Sequence, residues 1–207
     1  MKARIHVVGS PEVDAWLDKN VSFSDVKKRY DIIYEEQDFM VLLYHPVTIS
    51  FDPNVIKHVV QCCIASEINF VVIKCNNGTN YETILKEYMQ FKHNPHFRYL
   101  PSLRFEYFVS LIKHSNGLIG NSRNGVRETP VLGISSLNNG NRQQNRSTEA
   151  RSIIHIPDHR EMPAATLKVM KNIPRVEPVT EFGSSACAAR FGEFIRKCDL
   201  SAIYTQK

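Results

Sequence analysis

Residues 117–133 read Gly-Leu-Ile-Gly-Asn-Ser-Arg-Asn-Gly-Val-Arg-Glu-Thr-Pro-Val-Leu-Gly. Gly117 to Gly120 is short and apolar, as a buried strand would be, and it runs into a polar turn at Asn121 to Gly125. A short helix follows, limited by Pro130 and Gly133. A strand that empties into a glycine-containing turn at a helix start is one step of an alternating α/β chain.

The same step repeats on both sides. Upstream, Phe39 to Tyr44 is a continuous apolar run, expected to be a strand buried on both faces. Asp52-Pro53 then supplies an N-cap and a first-turn proline for a helix to about Ser66, with Val55, Ile56, Val59, Val60 and Cys63 on one stripe. Phe70 to Ile73 is the next strand, ended by Asn76-Asn77-Gly78, and Ile84, Leu85 and Met89 mark a second amphipathic helix. Phe97 to Leu100 reads as a strand, and Phe105 to His114 as a helix with Phe105, Phe108, Val109 and Ile112 inward. Downstream, Ile134 to Leu137 and Ile153 to Ile156 are strand candidates and Ser184 to Lys197 is an amphipathic helix. Asn138 to Arg151 reads as the least ordered stretch, and Ile5 to Val8 as a short N-terminal strand ending in Gly9. This alternation predicts a Rossmann-like parallel sheet with helices on both faces, and no internal repeat interrupts it.

In such a sheet, ligands bind beyond the carboxyl ends of the strands. His45, Asn76, Ser122 to Glu128 and Arg142 all follow apolar runs and therefore fall on that edge. The net charge of +5 suits an anionic ligand, while no basic run points to nucleic acid. Five cysteines, an odd number without a C-x-x-C, suggest neither a disulfide framework nor zinc, which fits the reducing cytoplasm. No apolar run approaches the roughly 20 residues that span a bilayer. The apolar start is too short for a signal peptide. Taken alone, His45 is a structural strand-end histidine, Asn76 a turn residue, Ser122 a helix cap, and Glu128 and Arg142 solvated side chains. The other histidines carry no spacing signal.

Several linked motifs outweigh those plain readings. Gly120 to Gln143 resembles the signature of UDP-N-acetylglucosamine 2-epimerases, G-N-S-S-x-G-x-R-E-x-P running on to N-x-G-x-R-Q. Arg104-Phe105-Glu106-Tyr107-Phe108 is similar to that family's R-F-E-Y-F segment, His45-Pro46-Val47-Thr48 to its H-P-V-T turn, and Gly9-Ser10-Pro11 to the G-S-P that opens its C-terminal domain. The motifs occur in the family's order over nearly the whole chain.

The resemblance implies the UDP-binding C-terminal half, residues 1–207, of a GT-B-type two-domain fold. By its motifs, Glu128 is expected on the ribose hydroxyls and Ser122 and the backbone through Gly125 on the diphosphate, where the charge of Arg123, though not the family's residue, also suits a phosphate. His45 and Arg142 are expected beside the phosphates, Asn76 beside the nucleotide, and the loop at Ser102-Leu103 at the uracil. It implies UDP-N-acetylglucosamine or UDP as ligand, without a cofactor or metal. The implied hydrolysing reaction eliminates UDP, forms a glycal and adds water to give N-acetylmannosamine, a precursor of sialic acid. The groups proposed for proton transfer lie mainly on an N-terminal domain, so the catalytic residues are unassigned here, and a companion domain or a homo-oligomer is expected. A UDP-sugar binding domain without turnover, regulatory or degenerate, is the alternative. A glycosyltransferase donor domain is a further one. The chain departs from the pattern at Arg123, where the family carries a second serine, and at Gly78, where its Asn-x-Asp turn carries the carboxylate. It also has Asn141 within the G-T-R-Q segment and a shortened Phe182-Gly183-Ser184-Ser185 in place of F-G-D-G-N-S.

Overall fold

The computed structural model describes residues 5–18, 21–48, 51–146, 150–156, 164–183 and 185–198. In chain order the elements begin with helices α1 (Pro11–Asp18) and α2 (Phe23–Tyr30), strand β1 (Phe39–Leu43), helix α3 (Pro53–Ser66), strand β2 (Asn69–Ile73) and helix α4 (Tyr81–Tyr88). Strand β3 (Phe97–Leu100), helix α5 (Phe105–His114), strand β4 (Leu118–Gly120) and helix α6 (Asn124–Val131) follow. Strands β5 (Ser136–Asn139) and β6 (Ile153–Ile156) and helices α7 (Ala164–Lys171) and α8 (Cys187–Lys197) come last, and a single 3-10 turn (Met89–Phe91) extends α4. No described helix is long and apolar enough to cross a membrane.

The residues divide into two compact units, 19–179 and the paired termini 1–18 with 180–207. The larger holds a six-stranded sheet in the order β3-β2-β1-β4-β5-β6, every neighbouring pair parallel. β1 is buried along its full length, as its unbroken apolar run requires. Its side chains alternate between two helical layers: Met40 and Leu42 join the core with Ile56 and Val59 of α3, Ile84 of α4 and Leu167 of α7. On the other face Phe39 stacks on Phe23 of α2, ring centroids 5.6 Å apart. The chain winds one way through β1, β2 and β3, then returns to place β4 on the far side of β1. That reversal is the switch point of a doubly wound sheet, and in such sheets the carboxyl ends of the two strands on either side, here β1 and β4, are where a crevice forms.

Two glycines allow the close approach that the crevice needs. Gly120 ends β4 with φ +139°, and a Cβ there would lie 2.1 Å from the Leu43 carbonyl oxygen. Gly125 lets α6 settle on β4, since a Cβ would come within 2.9 Å of Leu118 Cδ2.

The smaller unit pairs α1 with α8. The Asp14 carboxylate accepts the backbone N–H groups of Cys187 and Ala188, both at 3.1 Å, and so caps the start of α8. Val13 and Trp16 are its buried apolar residues from α1.

Several expectations are corrected. Residues 5–8 form no strand: Ile5 and Val7 are 83% and 90% exposed, and the run has no ladder partner among the described residues, its contacts being with α8 through Arg190 Nε on the Val8 carbonyl and Phe194 on His6. Phe105 is 44% exposed because it opens α5 at the edge of the sheet, and Met89 is 60% exposed beyond the last turn of α4. The strand expected at Ile134 starts two residues later, since pairing with β4 sets Leu118 against Ser136 and Ile119 against Leu137. Asn138 and Asn139 therefore belong to a buried strand, not to a loose loop. Residues 147–149 of the expected loop, and Ser184 at the expected start of the last helix, lie outside the described residues.

Replacing Gly120 by alanine combines an unfavourable positive φ with a clash against backbone that cannot move aside. Gly120→Ala is expected to lower the unfolding free energy by more than about 2 kcal/mol. A urea midpoint that falls with an unchanged m-value checks this, and an unshifted midpoint contradicts it.

Candidate functional site

The crevice is built on one buried amide. Asn121, fully buried directly after β4, accepts the His45 backbone N–H at 2.7 Å through Oδ1. It returns a bond from Nδ2 to the His45 carbonyl at 2.8 Å. These two bonds join the ends of β1 and β4 where the ladder stops. The Asn121 carbonyl in turn accepts Arg142 Nη1 at 3.0 Å and Gln143 Nε2 at 2.8 Å, tying in the segment after β5. On the opposite side the Asn76 N–H donates to His45 Nδ1 at 3.2 Å, which brings in the segment after β2.

Most of the expected residues are therefore brought together. His45, Asn76, Arg142 and the turn after β4 form one hydrogen-bonded chain across the edge. Leu103 lies after β3, two strands from β1 in the sheet order, and no hydrogen bond among the described residues joins it to the others. Asn76 contributes its backbone N–H, and its side chain is exposed.

The turn itself is compact. The Ser122 hydroxyl donates to Asn124 Oδ1 at 2.9 Å and receives the Asn124 N–H at 3.3 Å, closing a short turn ahead of α6; the N-cap position itself is Arg123, so the expected serine cap is not formed. The Gly125 N–H bonds the Ser122 carbonyl at 3.1 Å. The missing side chain at Gly125 thus serves helix–sheet packing. Glu128, one turn into α6, is only 5% exposed and faces Arg123 Nη2 across 3.4 Å. Arg123 keeps about half of its side chain in solvent, at 49% exposure.

Electrostatics favour an anion. Burial, reinforced by the charge of Arg142, lowers His45 to about 4. Its ring is neutral at pH 7, and with Nδ1 taken as an acceptor the proton sits on Nε2 as a donor. Burial and then the nearby Arg146 charge lower Arg142 as well, while Tyr44 opposes them. A buried carboxylate is well matched to a pair of neighbouring hydroxyls. Arg123 faces that carboxylate, and Arg142 and the His45 ring lie near each other at the neighbouring strand ends; guanidinium groups and a ring N–H are groups that suit a diphosphate.

Asn121, Asn138, Asn139 and Gln143 were not singled out from the sequence. Asn138 Oδ1, both amide atoms of Asn139 and Gln143 Oε1 are buried and have no hydrogen-bond partner among the described residues. Their signal was position: each lies at or just beyond the carboxyl end of a buried strand, where apolar residues would otherwise be expected.

Comparison with known proteins bears on what this edge belongs to. The 2-epimerase of Neisseria meningitidis serogroup B is 36% identical over 157 residues, 74% of this chain and 41% of that protein. The UDP-N,N'-diacetylbacillosamine 2-epimerase (hydrolyzing) of Legionella pneumophila is 22% identical over 205 residues, 98% of this chain and 54% of its own length. The UDP-GlcNAc 2-epimerase of Methanocaldococcus jannaschii shares the fold with a TM-score of 0.71 at 17% identity, over 94% of this chain and 56% of that one. Its complex with UDP-GlcNAc and UDP gives 0.68 at 14% identity, over 94% and 55%. The chain spans about half the length of the relatives it matches. Residues 1–196 match the sequence profile of UDP-N-acetylglucosamine 2-epimerase, and the chain belongs to that family.

Proposed function

We propose that the crevice at Ser122 to Glu128, with His45 and Arg142, binds the UDP part of UDP-N-acetylglucosamine, and that the chain serves its hydrolysing epimerisation to N-acetylmannosamine and UDP. The observation that carries this reading is the buried Glu128 carboxylate on the first helix past the switch point, faced by Arg123, with Arg142 and the neutral His45 gathered through Asn121 at the neighbouring strand ends. The M. jannaschii relative, solved with UDP-GlcNAc and UDP, supports the ligand assignment.

In the proposed arrangement the ribose hydroxyls donate to Glu128. Arg123, Arg142 and His45 Nε2–H face the diphosphate, Ser122 and Gly125 shape its turn, Asn76 borders the nucleotide, and Leu103 lies toward the uracil. The reaction breaks the bond between the anomeric carbon and the diphosphate oxygen while a base removes the proton at C2. Water then returns a hydroxyl to the anomeric carbon and a proton to the opposite face of C2. This chain's groups act on the leaving group, because cationic donors stabilise the charge that gathers on UDP as the bond breaks. The acid and base at the sugar ring are assigned to a companion domain or a second copy of the chain. The match to about half of the relatives' length supports that assignment. The five unbridged cysteines support placement in a reducing compartment such as the cytoplasm.

Calorimetric titration of the 207-residue chain is expected to show saturable binding of UDP and of UDP-N-acetylglucosamine. Glu128→Ala is expected to weaken UDP by about tenfold or more, the worth of a charged hydrogen-bonding group. No saturable heat at millimolar UDP, or an unchanged affinity in Glu128→Ala, overturns the site. The chain alone is expected to release no N-acetylmannosamine, and turnover by it removes the need for outside groups.

His45 adds a pH signature. Its folded value of about 4 lies below its ordinary 6.5, so between those values the unfolded chain binds the extra proton. The stability it contributes is complete above pH 6.5 and is lost as the pH falls through 4. Urea midpoints at pH 7 and pH 5 are expected to differ less in His45→Gln than in the parent. An equal drop in both would show that His45 is not the group responsible.

A further inference from the structure

Helix α2 ends on a tyrosine that reaches the loop after β3. The Arg104 N–H donates to the Tyr30 hydroxyl at 3.1 Å. Among the described residues, this is the one hydrogen bond that ties residues 101–104 to an element other than the adjoining α5. Tyr30 is itself held from several sides. Its carbonyl accepts Arg98 Nε of β3 at 2.9 Å. Its ring lies edge-on to Tyr107 of α5, with centroids 5.6 Å apart. The Arg29 guanidinium stands 5.1 Å from the Tyr107 centroid and 5.8 Å from that of Tyr30. We propose that Tyr30 is a positioning residue for base recognition, whose hydroxyl holds the loop at Ser102 and Leu103 in the shape that reads uracil. The proposal rests on the nucleotide reading given above, in which Leu103 lies toward the uracil.

The clamp lies on the same side of the sheet as the helix that carries Glu128. Leu118, beneath Gly125 of α6, pairs with Val41. Val41 alternates onto the face of β1 that holds Phe39, the residue stacked on Phe23 of α2. A ligand on Glu128 and the loop braced by Tyr30 therefore share one face. Along its pairing edge uracil presents an acceptor, a donor and an acceptor. Cytosine presents a donor, an acceptor and an acceptor, so the two bases differ at two of three groups. Main-chain N–H and C=O groups tell them apart only while their directions are fixed, because a loop free to turn can offer either one. The donor to Tyr30 is a main-chain N–H, so the bond restrains the backbone itself and not a side chain. A loop fixed in advance also avoids the cost of ordering when the base arrives.

The test titrates UDP, CDP and inorganic pyrophosphate into the full 207-residue chain and into Tyr30→Phe and Arg29→Ala. Tyr30→Phe removes one oxygen and keeps the ring against Tyr107. The parent is expected to prefer UDP to CDP. Tyr30→Phe is expected to lower that preference by about fivefold, the worth of one neutral hydrogen bond, with pyrophosphate affinity unchanged. Arg29→Ala removes the cation beside both rings but keeps the hydroxyl, and its preference is expected to stay at the parent value. Equal binding of UDP and CDP by the parent overturns the proposal. So does a Tyr30→Phe chain that keeps the parent ratio or weakens all three ligands by a common factor. An equal fall of the ratio in Arg29→Ala overturns it as well, since loosened packing and not the hydroxyl would then set the preference. Failure of the parent to bind UDP at all sinks the underlying nucleotide reading, a result distinct from saturable UDP binding with an unchanged ratio.

Discussion

The Asn121 side chain holds together the two strands on which the crevice depends. β1 and β4 carry the chain off in opposite directions, and beyond their ends no ladder bonds remain to join them. A single buried amide replaces the ladder, giving and receiving one backbone bond at His45. Its own carbonyl then anchors Arg142 and Gln143 from the next strand over. The positions of His45 and Arg142, and through His45 that of the Asn76 backbone, follow from this one residue. Apolar packing has no comparable means of setting direction, because hydrophobic burial is nearly isotropic.

Charge within the site is distributed unevenly. Glu128 is buried and Arg123 half-exposed, while Arg142 is part-buried and held by a backbone carbonyl. A buried carboxylate requires a partner, and Arg123 supplies one from a long stem that keeps about half of its surface in solvent. The neutral His45 adds a directed N–H without further positive charge beside Arg142. The nucleotide proposed for this edge would meet that distribution with an anion and with neighbouring hydroxyl groups.

Much of the architecture was legible from apolar runs. β1, β2 and β3 follow continuous stretches such as Phe39 to Leu43, and the Asp52-Pro53 pair marks the start of α3. The three helices α1, α2 and α7 were not read. Each is eight residues long and buries only two apolar side chains, too few for a helical period to emerge. α2 nevertheless carries a local start signal, Ser22 capping the Asp25 N–H at 3.1 Å. β5 was misplaced because Ser-Leu-Asn-Asn looks like loop sequence. Only its position between β4 and β6 buries it.

The sequence by itself determined the alternation of strands and helices, and with it the edge on which His45, Ser122 to Glu128 and Arg142 lie. Those features follow from local hydrophobic periodicity and from a family motif whose residues are near one another in the chain. The tertiary structure alone decided that Asn121 bridges His45, that Asn138 and Asn139 are buried, and that Arg123 lies against Glu128. Those relations depend on strand order and on side-chain reach, and periodicity carries neither: residues 76 positions apart meet only once the sheet is wound.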